Sequence, residues 1–375
     1  MKSLVIASRF PWPSYTGDRL RAAIWISALR RNGEVSLIAP PGAMPGDFGV
    51  RFYGARRSLG CAMRGAATMM RHSLPLQCLM AAPYDWRAAI ADARREAGAF
   101  DVTIVVLSRM HPWVRESFEG PAVLDAVDSL RRSAAERRKA ATFMTRWLWR
   151  MEEQRMARVE RDAARAYGQI VVVSEDEVAE FAGAAAVPVG IAAKPLDDSR
   201  REYDFGFWGR LPYFANADAA SWLLDEIWPA IRALHPSASL IIGGAEASKA
   251  LRNAARRQDV TLLSPFDDAA SFARNIRVAL MPLRYGSGQS TKVLEAAEAG
   301  CAIVGSPQAM RGLEPLARHA RVESSAFGFA RAAVDLLTDA DSRACMIARL
   351  RDVITTDYAR STTLDRLSAI AAETR

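Results

Sequence analysis

Short apolar runs recur along the chain and alternate with longer segments of helical periodicity. Apolar runs of about four to eight residues are typical of strands that are buried on both faces of a parallel sheet. In the first half they lie at Ser3–Ala7, Val35–Ala39 and Asp101–Leu107. The second half repeats the alternation from Asp204–Trp208 to Val278–Met281. Because helical segments separate the runs, the pattern predicts an α/β chain with two doubly wound parallel sheets.

A stretch of small residues, prolines and polar residues at 182–201 separates the two halves. We expect this stretch to be a linker, because 375 residues are enough for two domains of ordinary size. The predicted domains cover residues 1–185 and 203–355. The tail from Ala326 to Arg375 has the pattern of three helices.

The segment from Arg277 to Pro307 carries the most specific signal in the chain. A short apolar run is followed by a loop with two glycines, Gly286 and Gly288. Ser290 or Thr291 is a good N-cap for the helix that follows. That helix ends at a glycine in the position of a left-handed C-cap, and another buried strand comes next. The segment therefore predicts a strand–loop–helix–strand unit whose loop leads into a helix N-terminus.

The start of this helix suits a phosphate group, because its unpaired N–H groups and its dipole both favour an anion. Lys292 in the first turn opposes the dipole, so we expect an anion there to compensate. The chain contains only five lysines and 45 arginines, so a lysine at this position is not explained by composition. Glu295, one turn on, has the geometry to accept hydrogen bonds from a ribose. The alternative is an ordinary surface ion pair between Lys292 and Glu295.

The sequence from Lys292 to Pro307, KVLEAAEAGCAIVGSP, resembles the donor-sugar-nucleotide segment of group 1 glycosyltransferases. This is the retaining, family four-like class whose two facing Rossmann-like domains form the GT-B fold. The resemblance implies that Lys292 binds the diphosphate and Glu295 the nucleotide ribose. Ser287 stands where the family usually carries a glutamate that touches the donor sugar. The resemblance also implies donor contacts from the loop residues Gly286, Ser287, Gly288, Ser290 and Thr291.

Two other strand exits resemble the same family. The Pro-rich loop after the first strand ends at Gly17, which the resemblance places beside the donor phosphate. Gly209 and Arg210 resemble the first-strand exit of the donor domain, where a glycine and a basic residue approach the diphosphate. Arg210 and Lys292 would then act as catalytic groups that neutralise the pyrophosphate leaving group without a metal. The GT-B resemblance also implies that the last helix, predicted at 356–375, returns to the first domain.

The chain shows no motif for a metal or a dinucleotide. The one Asp-x-Asp, at 339–341, lies in the tail predicted to be helical and is not read as a metal motif, and no G-x-G-x-x-G joins the first strand to the first helix. The four cysteines are widely spaced, without a metal or disulfide pattern. We therefore expect no cofactor and no metal, with a nucleoside-diphosphate sugar as substrate.

Candidate acceptor residues follow two strands of the first domain. Arg109 and His111 come after the strand at Asp101–Leu107, where an arginine can bind a phosphate or an acidic acceptor. The alternatives are an arginine that caps a helix C-terminus and a histidine in a turn. Asp128 ends the next strand and is a candidate catalytic residue that orients an acceptor hydroxyl; its alternative role is to cap the following helix. Asp125 lies three residues earlier, so the two carboxylates point to opposite faces and are not a paired dyad.

Positive charge is concentrated in the first half of the chain. Residues 1–190 contain 27 basic and 20 acidic residues, which is +7 of the net +8. The segment 131–166 is predicted to be one long basic helix with Trp147 and Trp149 within it. Such a stretch can contact an anionic membrane, and solvated helix faces are the alternative. A nucleic-acid-binding protein would also explain the charge, but no nucleic-acid motif is present, so nucleic acid is not an expected partner.

Together these features predict a metal-independent, retaining glycosyltransferase that moves a sugar from a nucleoside-diphosphate sugar to a glycan acceptor. The expected acceptor is lipid-linked, as in bacterial exopolysaccharide or lipopolysaccharide biosynthesis. A nucleotide-sugar epimerase of the same architecture is the alternative. Neither a signal peptide nor a transmembrane run of about 18 apolar residues is evident, so the expected location is cytoplasmic, on the inner face of the membrane if peripheral.

Overall fold

A computed structural model describes residues 1–14, 16–43, 49–196, 201–265 and 268–375. The described residues form two compact units, one of residues 1–189 with 361–375 and one of residues 190–360. Each unit is built on a parallel sheet, as the apolar runs predict. Three parts of the predicted elements lie outside the described residues. They are Tyr15 of the Pro-rich loop, residues 197–200 of the linker, and Asp267, with which a short helix is predicted to begin.

The described part of the first unit contains a seven-stranded parallel sheet. Its strands are β1 Lys2–Ala7, β2 Glu34–Ala39, β3 Val50–Gly54, β4 Val102–Val106, β5 Ala122–Val127, β6 Gln169–Val172 and β7 Ala185–Ala186. The order β3-β2-β1-β4-β5-β6-β7 places β1 beside β4, where the order of the strands reverses. Ligands of such sheets bind beyond the carboxyl ends of the strands at this switch point.

Helices connect the strands of the first unit. They are α1 Gly17–Leu29, α2 Leu59–Arg71, α3 Trp86–Ala97, α4 His111–Val114, α5 Leu130–Ala140, α6 Phe143–Ala166 and α7 Glu175–Val178. Short 3₁₀ helices lie at Leu76–Met80, Ser108–Met110 and Arg115–Ser117. The central strands are buried, as is typical of strands covered on both faces.

The prediction of one long helix over 131–166 is wrong, because the segment forms the separate helices α5 and α6. Ala141 and Thr142 between them have extended backbone, with ψ of 146° and 160°. Glu160 of α6 accepts hydrogen bonds from the Ser129 hydroxyl at 2.8 Å and the Leu130 N–H at 2.7 Å. These donors lie at the start of α5, whose first N–H groups have no partner within the helix. The break lets α6 fold back and satisfy them.

The second unit contains, in its described residues, a six-stranded parallel sheet of order β10-β9-β8-β11-β12-β13. The strands are β8 Tyr203–Trp208, β9 Leu240–Gly243, β10 Thr261–Leu263, β11 Ile276–Met281, β12 Ala302–Gly305 and β13 Arg321–Val322. β8 and β11 pair at the centre, with Val278 opposite Phe205. Their carboxyl ends form the switch point of this unit.

Helices alternate with these strands as predicted. They are α8 Phe214–Trp222, α9 Trp228–Leu234, α10 Lys249–Arg257, α11 Ala269–Arg274, α12 Thr291–Glu298, α13 Pro307–Met310, α14 Glu314–Ala317, α15 Ala326–Thr338 and α16 Ala340–Thr356. A π-helical turn at Leu223–Ile227 joins α8 to α9. Gly300 follows α12 with φ of +75°, which confirms the predicted left-handed residue after this helix.

The final helix, α17 Arg360–Glu373, leaves the second unit at its first residue and belongs to the first unit from Ser361 onward. Leu367 and Ala371 are fully buried. The Thr363 hydroxyl donates to the Pro188 carbonyl at 3.2 Å, and the Ser368 hydroxyl donates to the Ala28 carbonyl at 2.9 Å. The predicted return of the last helix to the first domain is confirmed.

Candidate functional site

The switch point of the second unit gathers the residues that the sequence singled out. Gly209 and Arg210 follow β8 directly, and the glycine-bearing loop follows β11 and leads into α12. Because β8 and β11 are parallel neighbours, both exits lie at the same edge of the sheet. Lys292 in the first turn of α12 reaches this edge.

Gly209 and Lys292 are in direct contact. The backbone of Gly209 has φ of +153°, and its N–H donates to the Gly243 carbonyl at 3.0 Å. A Cβ atom at Gly209 would lie 2.5 Å from Lys292 Cε and 2.9 Å from Asn216 Nδ2. Only glycine leaves room for the lysine side chain against the end of β8. Although Gly209 and Lys292 are 83 positions apart in the sequence, the absence of a side chain at Gly209 determines where the Lys292 side chain lies.

Lys292 is a partly buried cation without a carboxylate partner in the part of the chain that the structure describes. Burial lowers the pKa of Lys292, and the nearby charge of Glu295 opposes that shift. The alternative of a surface ion pair is therefore wrong, since the two side chains are partly buried and form no salt bridge. A partly desolvated ammonium that forms no salt bridge is costly, and a bound anion would compensate it.

Glu295 accepts a hydrogen bond from a tryptophan that the sequence pattern does not single out. Trp208, the last residue of β8, donates its indole N–H to Glu295 Oε2 at 2.8 Å. Burial raises the pKa of Glu295, while this hydrogen bond and the charge of Lys292 oppose the shift. A tryptophan that ends a buried strand is a signal for such a contact, because its N–H needs an acceptor.

The loop before α12 is shaped by its glycines. Gly286 and Gly288 have φ of +143° and +70°, conformations that favour glycine. The Gly286 carbonyl accepts hydrogen bonds from Gln308 Nε2 at 2.8 Å and from Arg311 Nη2 at 3.0 Å. These contacts hold the loop against the residues that follow β12.

The N-terminus of α12 has no side-chain cap among the described residues. Ser290 occupies the predicted N-cap position, but its buried hydroxyl makes no hydrogen bond to any described residue. The first turn, which begins at Thr291, also lacks an acidic residue. The positive end of the helix therefore has no protein anion of the described chain beside it, which suits an anionic ligand.

Arg210 and Asn216 complete this edge of the second unit. Arg210 is exposed, and its carbonyl accepts a hydrogen bond from Asn216 Nδ2 at 2.9 Å. Asn216 is 4% exposed, and its Oδ1 has no partner among the described residues. Sequence reasoning missed Asn216, because an asparagine near a helix start usually indicates only a cap.

The switch point of the first unit carries a second charged cluster. Arg109, which is 8% exposed, lies 3.4 Å from Asp18 through Nη2, and Arg9 lies 3.5 Å from the same oxygen. Burial lowers the pKa of Arg109, while Asp18 opposes this shift. Its described partners are the Asp18 carboxylate and the Met80 sulfur, so the alternative of a helix-capping arginine is not supported. Gly17 begins α1 beside this cluster.

Asp128 belongs to the same edge, since its charge also acts on Arg109. It follows Val127, whose φ is +63°. Ser129 is the N-cap of α5 and accepts from the Arg132 N–H at 3.1 Å. Asp125 is fully buried and bonds to Arg21 Nε at 2.5 Å and to the Trp25 indole N–H, so its role is structural.

His111 faces a different environment from Arg109. Its ring lies 5.7 Å from the Tyr167 ring, and its Nδ1 is buried without a partner among the described residues. Burial lowers the pKa of His111, and Asp162 opposes the shift. The two predicted acceptor residues therefore do not share one cluster of contacts, although they are two positions apart.

The described residues contain no group of three or more His, Cys, Asp or Glu side chains placed to hold a metal ion. None of the described helices is both long enough and apolar enough to cross a membrane.

Comparison with solved structures identifies the fold. The chain is similar to sucrose-phosphate synthase from Thermosynechococcus elongatus, with a TM-score of 0.77, 12% identity and coverage of 100% of this chain and 98% of the other. It is similar to Anabaena HepE in complex with UDP and glucose, with a TM-score of 0.71, 12% identity and full coverage of both chains. It is also similar to WaaG, a glycosyltransferase involved in lipopolysaccharide biosynthesis, with a TM-score of 0.67, 14% identity and 99% coverage of each chain. The fold is that of the GT-B glycosyltransferases.

The family follows from the second unit. Residues 202–339 match the model of the family described as Glycosyl transferases group 1. Over this region the chain is similar to the group 1 glycosyltransferases, and the resemblance of Lys292–Pro307 to this family is confirmed. No curated protein sequence matches the chain.

Proposed function

We propose that the chain transfers a sugar from a nucleoside-diphosphate sugar to a glycan acceptor. The observation that carries this proposal is Lys292, a partly buried cation at an uncapped helix start, without a described carboxylate partner. A diphosphate supplies the negative charge that both the ammonium and the helix dipole favour. The Anabaena HepE structures in complex with UDP and with UDP-glucose support this class of donor.

The geometry suggests a division of roles within the second unit. Lys292 and the exposed Arg210 neutralise the diphosphate as it leaves, so positive charge meets the negative charge that develops in the transition state. Glu295 accepts from the nucleotide ribose, with Trp208 fixing its other oxygen. The loop residues Gly286, Ser287, Gly288, Ser290 and Thr291 line the donor together with Gly209.

The proposed reaction retains the anomeric configuration and needs no metal, since two side-chain cations do the work of a divalent ion. Asp128 orients the acceptor hydroxyl, and Arg109 and His111 contact the acceptor in the first unit.

Transfer activity should persist in the presence of EDTA. Asp128→Asn should lower kcat while leaving the affinity for UDP unchanged.

The central test replaces Lys292 by methionine, which keeps the length of the side chain. We expect Lys292→Met to lose UDP binding in calorimetry while its Tm equals or exceeds that of the wild type, because the substitution removes a buried charge without a described counter-ion. Lys249→Met is the matched control, since Lys249 is exposed at the start of α10 in the same unit. Wild-type binding and turnover by Lys292→Met would refute the proposal.

The products distinguish the epimerase alternative. Nucleotide sugars are incubated with the protein with and without a glycan acceptor, and both fractions are analysed by mass spectrometry and NMR. A transferase gives an elongated acceptor and a free nucleoside diphosphate. Conversion of one nucleotide sugar into another without any acceptor would replace the transferase by an epimerase.

A lipid-linked acceptor is the finer proposal, and the start of α6 supports it. Phe143, Met144 and Trp147 are 91%, 82% and 61% exposed, with Arg146 and Arg150 exposed beside them. Aromatic and basic side chains in this combination favour the surface of an anionic membrane. WaaG acts in lipopolysaccharide biosynthesis, and we propose a related role for this chain in bacterial lipopolysaccharide or exopolysaccharide assembly.

Sedimentation with lipid vesicles tests the membrane contact. The wild type should bind phosphatidylglycerol vesicles more tightly than phosphatidylcholine vesicles, and Phe143→Ser/Trp147→Ser should lose most of that binding. Phe327→Ser is the control, because Phe327 is 63% exposed on α15 of the other unit. Equal sedimentation of the double variant and the wild type would contradict the proposed contact.

A further inference from the structure

A second candidate site lies in the first unit, between α2, α4 and α6. These helices surround a cavity of about 680 Å³. This volume lies within the range of about 300–1,000 Å³ that is typical of small-molecule pockets. The lining residues used below are Arg64 of α2, His111 and Trp113 of α4, and Arg155, Arg158 and Asp162 of α6. Neither Arg109 nor Asp128 lines it.

The cavity wall carries both signs of charge, and its arginines outnumber its acidic residues by one, with four arginines (Arg64, Arg87, Arg155, Arg158) and three acidic residues (Asp85, Glu116, Asp162). Arg87 pairs with Glu116 at 3.2 Å. Arg155, Arg158 and Asp162 follow at intervals of three and four residues, so they share one face of α6. Neither arginine forms a salt bridge with a described residue, and the contact of Arg64 is with the Cys61 sulfur at 3.2 Å. These three guanidinium groups form no salt bridge with a described residue, so their donors are available to an anionic ligand.

Aromatic rings on the same wall are held in fixed positions. Trp113 donates its indole N–H to the Cys78 carbonyl at 3.1 Å, and Trp86 donates to the Ala81 carbonyl at 2.8 Å. Both residues line the cavity. Trp86 is 3% exposed and belongs to the core beneath the cavity, whereas Trp113 is only partly buried. Because the indole N–H of Trp113 is already bonded, its ring can contact the apolar face of a sugar ring.

The wall also offers hydrogen-bond acceptors. Asp162 is exposed and forms no described salt bridge, and His111, whose pKa is lowered by burial, can accept a hydrogen bond as a neutral imidazole. A ligand with several hydroxyl groups and one acidic group uses both these acceptors and the arginines. A nucleobase has no comparable set of hydroxyls.

We propose that this cavity binds an anionic sugar, that is, a pyranose that carries a phosphate or a carboxylate. Arg155 and Arg158 bind the acidic group, and the hydroxyls bond to Asp162 and His111. The site goes beyond the proposed donor site, because every residue named here belongs to the first unit and Lys292 belongs to the second.

The test is calorimetric titration of the full chain with glucose 6-phosphate and with glucuronate. Inorganic phosphate, glucose and AMP are titrated as partial probes. At least one of the two anionic sugars should bind ten times more tightly than each partial probe, and the one that binds identifies the acidic group. Arg155→Ala/Arg158→Ala should weaken this binding at least tenfold. The matched control, Arg161→Ala/Arg165→Ala, removes two exposed arginines of α6 outside the cavity and should leave it unchanged.

The titrations are repeated in Lys292→Met, which separates this site from the donor site. Binding of the anionic sugar that persists in Lys292→Met supports a site in the first unit, whether or not UDP binds to the wild type. Binding that disappears in Lys292→Met would assign it to the second unit and overturn the proposal. Tighter binding of AMP or phosphate, equal loss in both arginine variants, or no binding at several millimolar ligand would also overturn it.

Discussion

The binding role proposed for Lys292 comes at the expense of stability. Burial lowers its pKa below the ordinary value of 10.5, so the unfolded chain holds the proton more readily than the folded chain. By linkage, the charged lysine lowers the free energy of unfolding at pH values below its lowered pKa. This loss of stability shrinks as the pH rises through the lowered pKa towards the ordinary value of 10.5. A lysine whose pKa is lowered and whose charge destabilises the fold is typical of a binding site rather than of a structural ion pair.

The protonation state of Lys292 predicts how donor affinity depends on pH. UDP binding should weaken as the pH rises from 7 towards 10.5, because deprotonation begins below the ordinary lysine value and removes the charge that faces the diphosphate. In Lys292→Arg the guanidinium stays protonated over this range, so its affinity should depend less on pH. Calorimetric titrations at several pH values check this. Identical pH profiles for the two proteins would show that Lys292 does not face the diphosphate.

Gly209 predicts a second residue-scale effect. Gly209→Ala should reduce UDP affinity at least tenfold and destabilise the protein by about 1–3 kcal/mol, because the new Cβ would press on Lys292 Cε and Asn216 Nδ2. Gly183→Ala is the control for backbone strain: Gly183 has φ of +78° but no atom within 4 Å of the added Cβ. Denaturation and UDP titration measure both effects. A loss of stability without a loss of affinity would disprove the role of the Gly209–Lys292 contact.

At the scale of elements, the pairing of α5 with α6 depends on one carboxylate. Glu160→Ala should lower the free energy of unfolding by about 2–4 kcal/mol, since it leaves the Ser129 hydroxyl and the Leu130 N–H of the α5 start unsatisfied. Glu153→Ala, which removes partly exposed ion pairs with Arg131 and Arg138, should cost about 1 kcal/mol or less. Urea denaturation compares the two variants, and equal costs would contradict the capping role of Glu160.

The strands and helices of the second unit were largely predictable, whereas the α5–α6 break was not. Val278–Met281 is apolar at every position, and Gly288 and Gly300 mark the turns on either side of α12. These signals are local, so the sequence displays them directly. The residues around Ala141 and Thr142 carry no proline or glycine, and the turn there depends on the distant contact of Glu160 with the start of α5.

At the scale of the whole molecule, the last helix ties the end of the chain to the unit in which it began. Leu367→Ala should cost about 2–5 kcal/mol, because Leu367 is fully buried although it lies close to the C-terminus. Thr362→Ala on the same helix is exposed and should change stability by about 0.5 kcal/mol or less. Chemical denaturation measures both variants. A neutral Leu367→Ala would show that α17 adds little to the first unit.

The residues of the candidate site differ in how far the sequence could identify them. Lys292 and Glu295 were predicted because they stand at a helix start after a glycine-bearing loop, a pattern of adjacent residues. Trp208 and Asn216 were missed, since what matters about each is a partner on another element. The ion pair of Arg109 with Asp18 is likewise a contact between different elements, which the sequence does not display.

By itself, the sequence determined the parallel α/β class, the expectation of two domains and the helix start that carries Lys292. Periodic burial and turn chemistry act between near neighbours, so they are visible in the order of residues. Only the tertiary structure decided that Gly209 leaves space for Lys292, that Trp208 holds Glu295 and that a cavity lined by arginines lies between α2, α4 and α6. These features arise where strands and helices distant in sequence meet, and short-range patterns carry no record of such contacts.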